Sequence, residues 1–581
     1  MNKISSVVFC FLLVSSTLIF PIQSDASQQD EIIYVDDDNT DGPWDGSIDH
    51  PFQYIQDGID TAREGDTVFV FNGTYTENVM IDTSIILQGE NKNITVLTPL
   101  DADWKTIDIT ANGVCVKNFQ ISGGEIGIYI EHSTSVGIFN NYIKNNYNNG
   151  ICAWEFTNDS IIENNIIQNN GCGLHIHDSS KNIVSDNIFK DNSRAISSVG
   201  SSYTNIFDNQ IINNHEGIDL HGWGTDSLSC SNRIINNTIF HSSVGIKLLY
   251  FKNNTVSTNQ IFDCDYGIEI TEDTSSENNF INNVFQNSGF ILWSMGPNNS
   301  FKGNTVNGKP VLYLEDNSMK DFCKPRWGQV LLVNCKNITC AYQNISNTTA
   351  GVQLLSCTNC NISYHTISST KYGITLRSCT NCDITHNKLT KSNTGVHIGL
   401  NSKNITLGNN IVQDNTYGMN LCSKQGKIML NTFLANTYGI YLDYFSNDNE
   451  IAWNQYSDNN VGIYSDGSST NMIILNEFSN NTLGINLSYH IFKDSSGSQK
   501  NTISKNNFFH NEKHAFFLSE PFDRNKWKQN YWENPHYLPY LITGILFRDF
   551  IFLMPVLSTY WINIDWHPAQ EPYDLIDGGY E

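Results

Sequence analysis

The chain has 581 residues, with 33 lysines and arginines against 59 aspartates and glutamates, for a formal net charge of −26. That balance excludes a protein that follows a phosphate backbone with a basic face, and one that docks on an anionic membrane by charge alone. At 39% hydrophobic and 12% aromatic residues it is too apolar to stay disordered, and it is too long for one ordinary core. Charged residues make up only 16%, so the polarity comes from Asn, Ser and Thr, which favour strands and turns over helices.

The first residues read as an export leader, residues 1–26. Lys3 is followed by an apolar run from Val7 to Phe20 and then by Ser24-Asp25-Ala26 at the cleavage site. A membrane anchor needs about 18 apolar residues, more than this run supplies. Residues 27–66 are expected to form an N-terminal cap, with a helix over Pro51 to Glu64 that aligns Ile55, Ile59 and Ala62 on one face.

Residues 67–524 carry a repeat. A glycine followed by an aliphatic residue recurs at Gly127, Gly150, Gly173, Gly217, Gly245, Gly267 and Gly289, with Ala195 standing in once, and again from Gly351 to Gly484. The spacing is 21 to 23 residues, apart from 28 between Gly217 and Gly245. A fixed period of this size means a solenoid. The residue one past the glycine is apolar, and so is the residue three past except at Ser198 and Ser465, which is a strand with one buried face. Eight residues before the glycine an Asn recurs, as at Asn165, Asn187, Asn209, Asn237 and Asn259. Such a column predicts an inward asparagine ladder whose amides satisfy one another. The fold class is therefore all-β: a single-stranded right-handed parallel β-helix of about 22 residues per coil, roughly twenty rungs spaced about 4.8 Å. Between residues 296 and 328 the period breaks, which reads as a loop inserted into one continuous helix, with a domain boundary as the alternative. Residues 525–581 leave the repeat as an aromatic C-terminal cap. Its apolar stretch from Tyr537 to Ile564 is interrupted by Arg548, Asp549 and Pro555, so it is expected to be buried in the cap and not to span a membrane.

Several of these segments resemble a known group. Tyr34-Val-Asp-Asp-Asp-Asn39, Ile55-Gln-Asp-Gly-Ile59, Gly65-Asp-Thr-Val-Phe-Val70, Gly73-Thr-Tyr-Thr-Glu-Asn78, Thr305-Val-Asn-Gly-Lys-Pro310 and Asn530-Tyr-Trp532 resemble secreted β-helix proteins of the NosD-like type. The resemblance implies an archaeal surface protein. The group's namesake helps to supply copper to a periplasmic reductase, and its wider relatives are carbohydrate-binding proteins and sugar hydrolases. It transfers no catalytic motif.

The register points to candidate sites. Residues two and four past the glycine face outward, stacked rung on rung. In the first half they gather Glu131, Trp154, His175, His177, Asp219 and His221, where carboxylates and imidazoles suit acid–base work and Trp154 suits a sugar ring. Asp219, His221, His177 and Glu131 are the catalytic candidates if the chain is a polysaccharide lyase or glycoside hydrolase. The loop from Trp223 to Ser231 is placed to wall a cleft beside them. In the second half, Tyr441 and Tyr464 with Asp443 and Asp466 suit glycan binding. Cys152, His175 and His177 fall on neighbouring rungs, and Cys357, Cys360, Cys379 and Cys382 form two C-x-x-C pairs one coil apart. Either set has donors for copper or zinc, although repeat stacking alone explains the cysteine pairs. Calcium is a third possible ion. The expected partner is a polysaccharide or surface glycan, with no nucleic acid and no transmembrane segment. The expected location is secreted, periplasmic or cell-surface. Copper handling of the NosD kind and a structural or adhesive rod are the alternatives.

Overall fold

The computed structural model describes residues 30–224, 229–489, 497–519, 524–547, 550–551, 554–555 and 558–575, so the expected export leader, residues 1–26, lies outside the described residues. The described chain is almost entirely short parallel strands, with one helix, Ile55–Thr61. The register is the one the glycine column predicts: Ile128, Ile151, Leu174, Ile196, Ile218 and Ile246 stack on successive rungs and are 0–1% exposed. The glycines themselves have a steric cause. A Cβ on Gly217 would lie 2.3 Å from the Gly245 carbonyl oxygen on the next rung.

Between strands the chain turns through left-handed residues. Asn164, Asp186, Asp208 and Asn236 take φ of 54–60°, a region that Asn and Asp tolerate better than most side chains. Directly after each comes the ladder. Asn187 donates its backbone N–H (3.0 Å) and its side-chain Nδ2 (3.0 Å) to Asn209 Oδ1, and Nδ2 also donates to the Ile162 carbonyl (2.8 Å). The same bonds link Asn209 to Asn237, Asn237 to Asn259, and Asn387 through Asn410 and Asn431 to Asn454. At its C-terminal end this ladder stops on Asp565, whose fully buried carboxylate accepts from Asn530 N, Asn530 Nδ2, Gln529 N and Trp532 Nε1.

The break at residues 296–328 is not an inserted loop. Strands occupy Ser300–Lys302, Thr305–Val306, Lys309–Glu315 and Ser318–Phe322. Asn307 (φ 49°) and Gly308 (φ 75°) make a two-residue hairpin, so Lys309–Glu315 runs antiparallel to Thr305–Val306. Left-handed φ at both turn positions matches strand twist and reverses the chain in two residues. From Lys309 to Trp532 the described strands wind as a second solenoid with its own core.

The seam between the two is closed by side chains. In Gln329–Val333 and Ala350–Leu355 both faces are buried. Val330, Leu332 and Leu354 belong to the second core, while Leu331, Val333 and Leu355 plug the open end of the first. Phe290–Leu292, the last strand of its sheet, has no further strand beside it. Two glutamines act in its place. Gln353 Oε1 accepts from Leu292 N (3.0 Å) and its Nε2 donates to Leu292 O (2.7 Å), and Gln329 does the same for Phe290 at 3.0 and 2.7 Å.

Both ends differ from simple caps. Ile32–Val35 already pairs with Thr67–Val70 as a first rung, with Ile55 and Ile59 of the helix buried against the core. At the other end the ladders run past residue 524 through Lys526–Lys528 and Tyr531–Trp532, and a hairpin of Tyr540–Phe547 and Ser558–Asp565 follows. The expectation that the Tyr537–Ile564 region is buried does not hold for its described side chains. Ile542 is 1% exposed, but Tyr560 is 92% exposed because only one face of the hairpin meets the rod. Among the described residues no helix is long and apolar enough to cross a membrane.

Two outcomes follow from this packing. Gln353→Ala leaves the buried Leu292 N–H and carbonyl without partners, and urea unfolding is expected to show a loss of about 1–3 kcal/mol. His365 stands in the ladder, accepting from Gln343 N at Nδ1 (3.0 Å) and donating its backbone N–H to Asn387 Oδ1 (2.9 Å). Burial lowers its pKa from 6.5 to about 4. The folded chain thus holds it neutral while the unfolded chain takes up a proton first, so stability falls as pH drops from about 6.5 to about 4. His365→Asn keeps an acceptor and removes the titration. Its melting temperature should fall less than that of the wild type between pH 7 and pH 4.

Candidate functional site

The first-half face assembles as the register requires. Trp154, His177, Val199 and His221 are successive partners in one sheet, and so are Cys152, His175, Ser197 and Asp219. The side chains, however, close on one another. Trp154 lies flat on His177, with ring centroids 3.8 Å apart and planes 7° from parallel. Trp223 then meets His177 edge-on at 5.1 Å, and its indole N–H donates to Asp178 Oδ1 (2.9 Å). Trp223 therefore packs over the cluster, while residues 225–228 of the loop expected to wall a cleft lie outside the described residues. One face of Trp154 is already taken by an imidazole, and His177 and Asp219 are buried at 8% and 4% exposure.

Acid–base geometry under this cover is loose. Asp219 Oδ2 stands 3.6 Å from His221 Nδ1, while Asp219 Oδ1, His177 Nδ1 and Ser197 Oγ are buried without a hydrogen-bond partner. Glu131 lies to one side, accepting from the Tyr129 hydroxyl (3.2 Å). Burial pushes the His175 pKa down to about 4 and the Cys152 thiol up to about 12, so both are neutral near pH 7.

The second-half face is more open and larger than the sequence suggested. Tyr441 and Tyr464 stack at 5.2 Å and 10°, on adjacent rungs. A second stacked pair, Tyr417 and Tyr438 (5.3 Å, 10°), stands edge-on to the first, with Tyr417–Tyr441 at 5.5 Å and 85°. All four rings are partly exposed. The Tyr441 hydroxyl donates to Asp466 Oδ2 (2.9 Å), and burial first, then the Asp466 charge, raises its pKa and keeps it protonated. Asp443 Oδ1 accepts from Tyr444 N. On the rung after Tyr464, Asn486 has a buried amide oxygen without a partner. Tyr417 and Tyr438 sit one residue before the glycine, a position the outward columns left out. The recurring Tyr-Gly pair, also at Tyr266 and Tyr372, is the signal that marks them.

Among the described residues neither metal candidate brings three ligand atoms within 4.8 Å of one another. Cys335, Cys357 and Cys379 stack on consecutive rungs beside Cys360 and Cys382, all 0–1% exposed, with Cys357 N–H reaching Cys379 Sγ at 3.4 Å. They fill inward positions that hold Ser or Asn elsewhere, as Ser402 does one rung on. Among the described residues, the group of three or more acids, imidazoles and thiols with ligand atoms within 4.8 Å of one another is Asp36, Asp37 and Asp38. The thirteen described cysteines are all unbridged.

Two family models match the two solenoids. Residues 328–542 match the family model described as periplasmic copper-binding protein (NosD), and residues 83–232 and 226–306 match the right-handed β-helix region family. A cell surface glycoprotein of Methanothermus fervidus is 35% identical over 107 residues, spanning 18% of this chain and 17% of that protein's length. Among solved structures, an alginate lyase from Paenibacillus sp. is 13% identical over 47% of this chain and 99% of its own, with a TM-score of 0.34. Open reading frame 18 of Geobacillus virus E2 gives 15%, 48%, 62% and 0.36, and pectate lyase Pel9A gives 14%, 48%, 78% and 0.31, in the same order. The chain thus folds as a right-handed parallel β-helix whose residues 83–306 are similar to the right-handed β-helix region family and whose residues 328–542 are similar to the NosD family model.

Proposed function

We propose that this is an exported, cell-surface β-helix protein that binds extracellular saccharide on the tyrosine face of its second solenoid. The observation that carries the reading is the interlocked set Tyr417, Tyr438, Tyr441 and Tyr464, bordered by Asp443 and Asp466. Partly exposed rings held rigid by their neighbours offer stacking surface at little entropic cost, and the carboxylates accept from sugar hydroxyls. The set spans two rung steps, about 10 Å, room for about two sugar units. Surface location is supported by the leader, by the periplasmic description of the NosD family and by the cell-surface relative. The buried cluster at Trp154 and His177 is the weaker face, because its rings are already stacked.

The test is binding of the mature chain to a panel of acidic and neutral polysaccharides. Tyr441→Ala combined with Tyr464→Ala should weaken capture at least tenfold with little change in melting temperature. Equal capture, or none by the wild type, would leave a structural rod. Soft-metal handling is a second reading, favoured by the NosD match over the segment that holds the cysteine stack. Titration of the reduced chain with Cu(I) should then saturate, and Cys357→Ser with Cys379→Ser should abolish the uptake. No saturable uptake removes this reading.

A further inference from the structure

The C-terminal hairpin has one face against the rod and one face open. Ile542 and Asp565 point into the end of the second solenoid at 1% and 0% exposure. On the other face the strand pairing sets Leu541 beside Ile564, Thr543 beside Ile562 and Ile545 beside Tyr560. Here Tyr560 is 92% exposed, Trp566 63%, Leu541 53% and Ile562 46%, with Tyr537 at 90% and Leu538 at 78% in the approach to the first strand. None of these side chains is charged. Scattered exposed apolar residues are ordinary, but a contiguous set of this kind marks a partner.

Three partners compete: a polysaccharide, a second copy paired along the free edge of Ser558–Asp565, and a lipid surface. Leu538, Leu541 and Ile562 are interleaved with the rings, and aliphatic side chains gain nothing against a hydroxyl-rich chain. Tyr and Trp flanking an apolar stretch are the residues that settle at a membrane–water boundary. A net charge of −26 disfavours anionic headgroups, and the uncharged face favours an apolar contact with neutral ones. Tyr540–Phe547 pairs with Lys513–Ser519 of the solenoid, which leaves Ser558–Asp565 as an unpaired outer edge, and a sheet with a free edge cannot cross hydrocarbon; the contact is limited to the headgroup–acyl boundary, about 5–10 Å deep. We infer that the open face of the C-terminal hairpin is a lipid-docking surface that seats this end of the protein on a neutral membrane. This inference is independent of the saccharide reading, which concerns a different face.

The experiment is sedimentation of the mature chain with phosphatidylcholine vesicles, read together with tryptophan emission. The wild type should co-sediment and its emission should shift to the blue. A variant carrying Tyr560→Ser, Ile562→Ser and Trp566→Ser should partition at least tenfold less with an unchanged melting temperature. Vesicles containing phosphatidylglycerol should bind the wild type more weakly at low salt. If the triple variant loses its fold, Tyr560→Ser alone gives the same comparison, with a smaller loss expected. The inference is overturned if the wild type stays in the supernatant or if folded variants partition equally. It is also overturned if these substitutions abolish a concentration-dependent dimer or polysaccharide capture and leave vesicle binding intact.

Discussion

In a parallel solenoid no coil can satisfy its own amides, and this requirement governs the rest of the structure. Strands pass their hydrogen bonds to the rungs on either side, but at the turns the chain swings away and the backbone ladder lapses. Asparagine fills the lapse, because one short side chain carries both an acceptor for the neighbouring rung's N–H and a donor for a carbonyl. The requirement is inherited by whatever stands at each end. Asp565 meets it with a carboxylate that needs no further donor, and Gln329 and Gln353 meet it with amides that imitate a missing strand. At the start, a short helix covers the first rungs.

What repeats was legible in the sequence, and what happens once was not. The glycine and asparagine columns gave the coil length, the inward positions and the ladder, since each is sampled many times. Strand direction leaves no mark in a column, so the reversal at Asn307–Gly308 looked like a lapse in the period even though Asn-Gly is a strong hairpin signal. Alternation placed Trp154, His177, Asp219 and His221 on one sheet face, where they are. It carried no information on whether neighbouring rings would present themselves to solvent or to each other. For the cysteines, a spacing equal to the coil length meant stacking within the core.

The two outward faces show how little the fold decides about chemistry. Both use the same strand geometry and similar residue types. On the first, an indole, an imidazole and a loop tryptophan pack against one another, and Asp219 on the same face is buried. On the second, four phenols brace each other edge to face and remain accessible. Which face is available to a ligand depends on a single long coil, the one that brings Trp223 over His177.

The glutamine seam also sets an order of completion. Synthesis delivers the chain N-terminus first, and the early coils can zip onto one another as they emerge. The last strand of the first solenoid must wait, because its surrogate partners arrive 39 and 61 residues later. Until then its edge amides and the apolar end that Leu331, Val333 and Leu355 will cover stay open. The first half is therefore finished by the second, and a chain truncated shortly after residue 308 would end as an unsealed tube with a sticky rim.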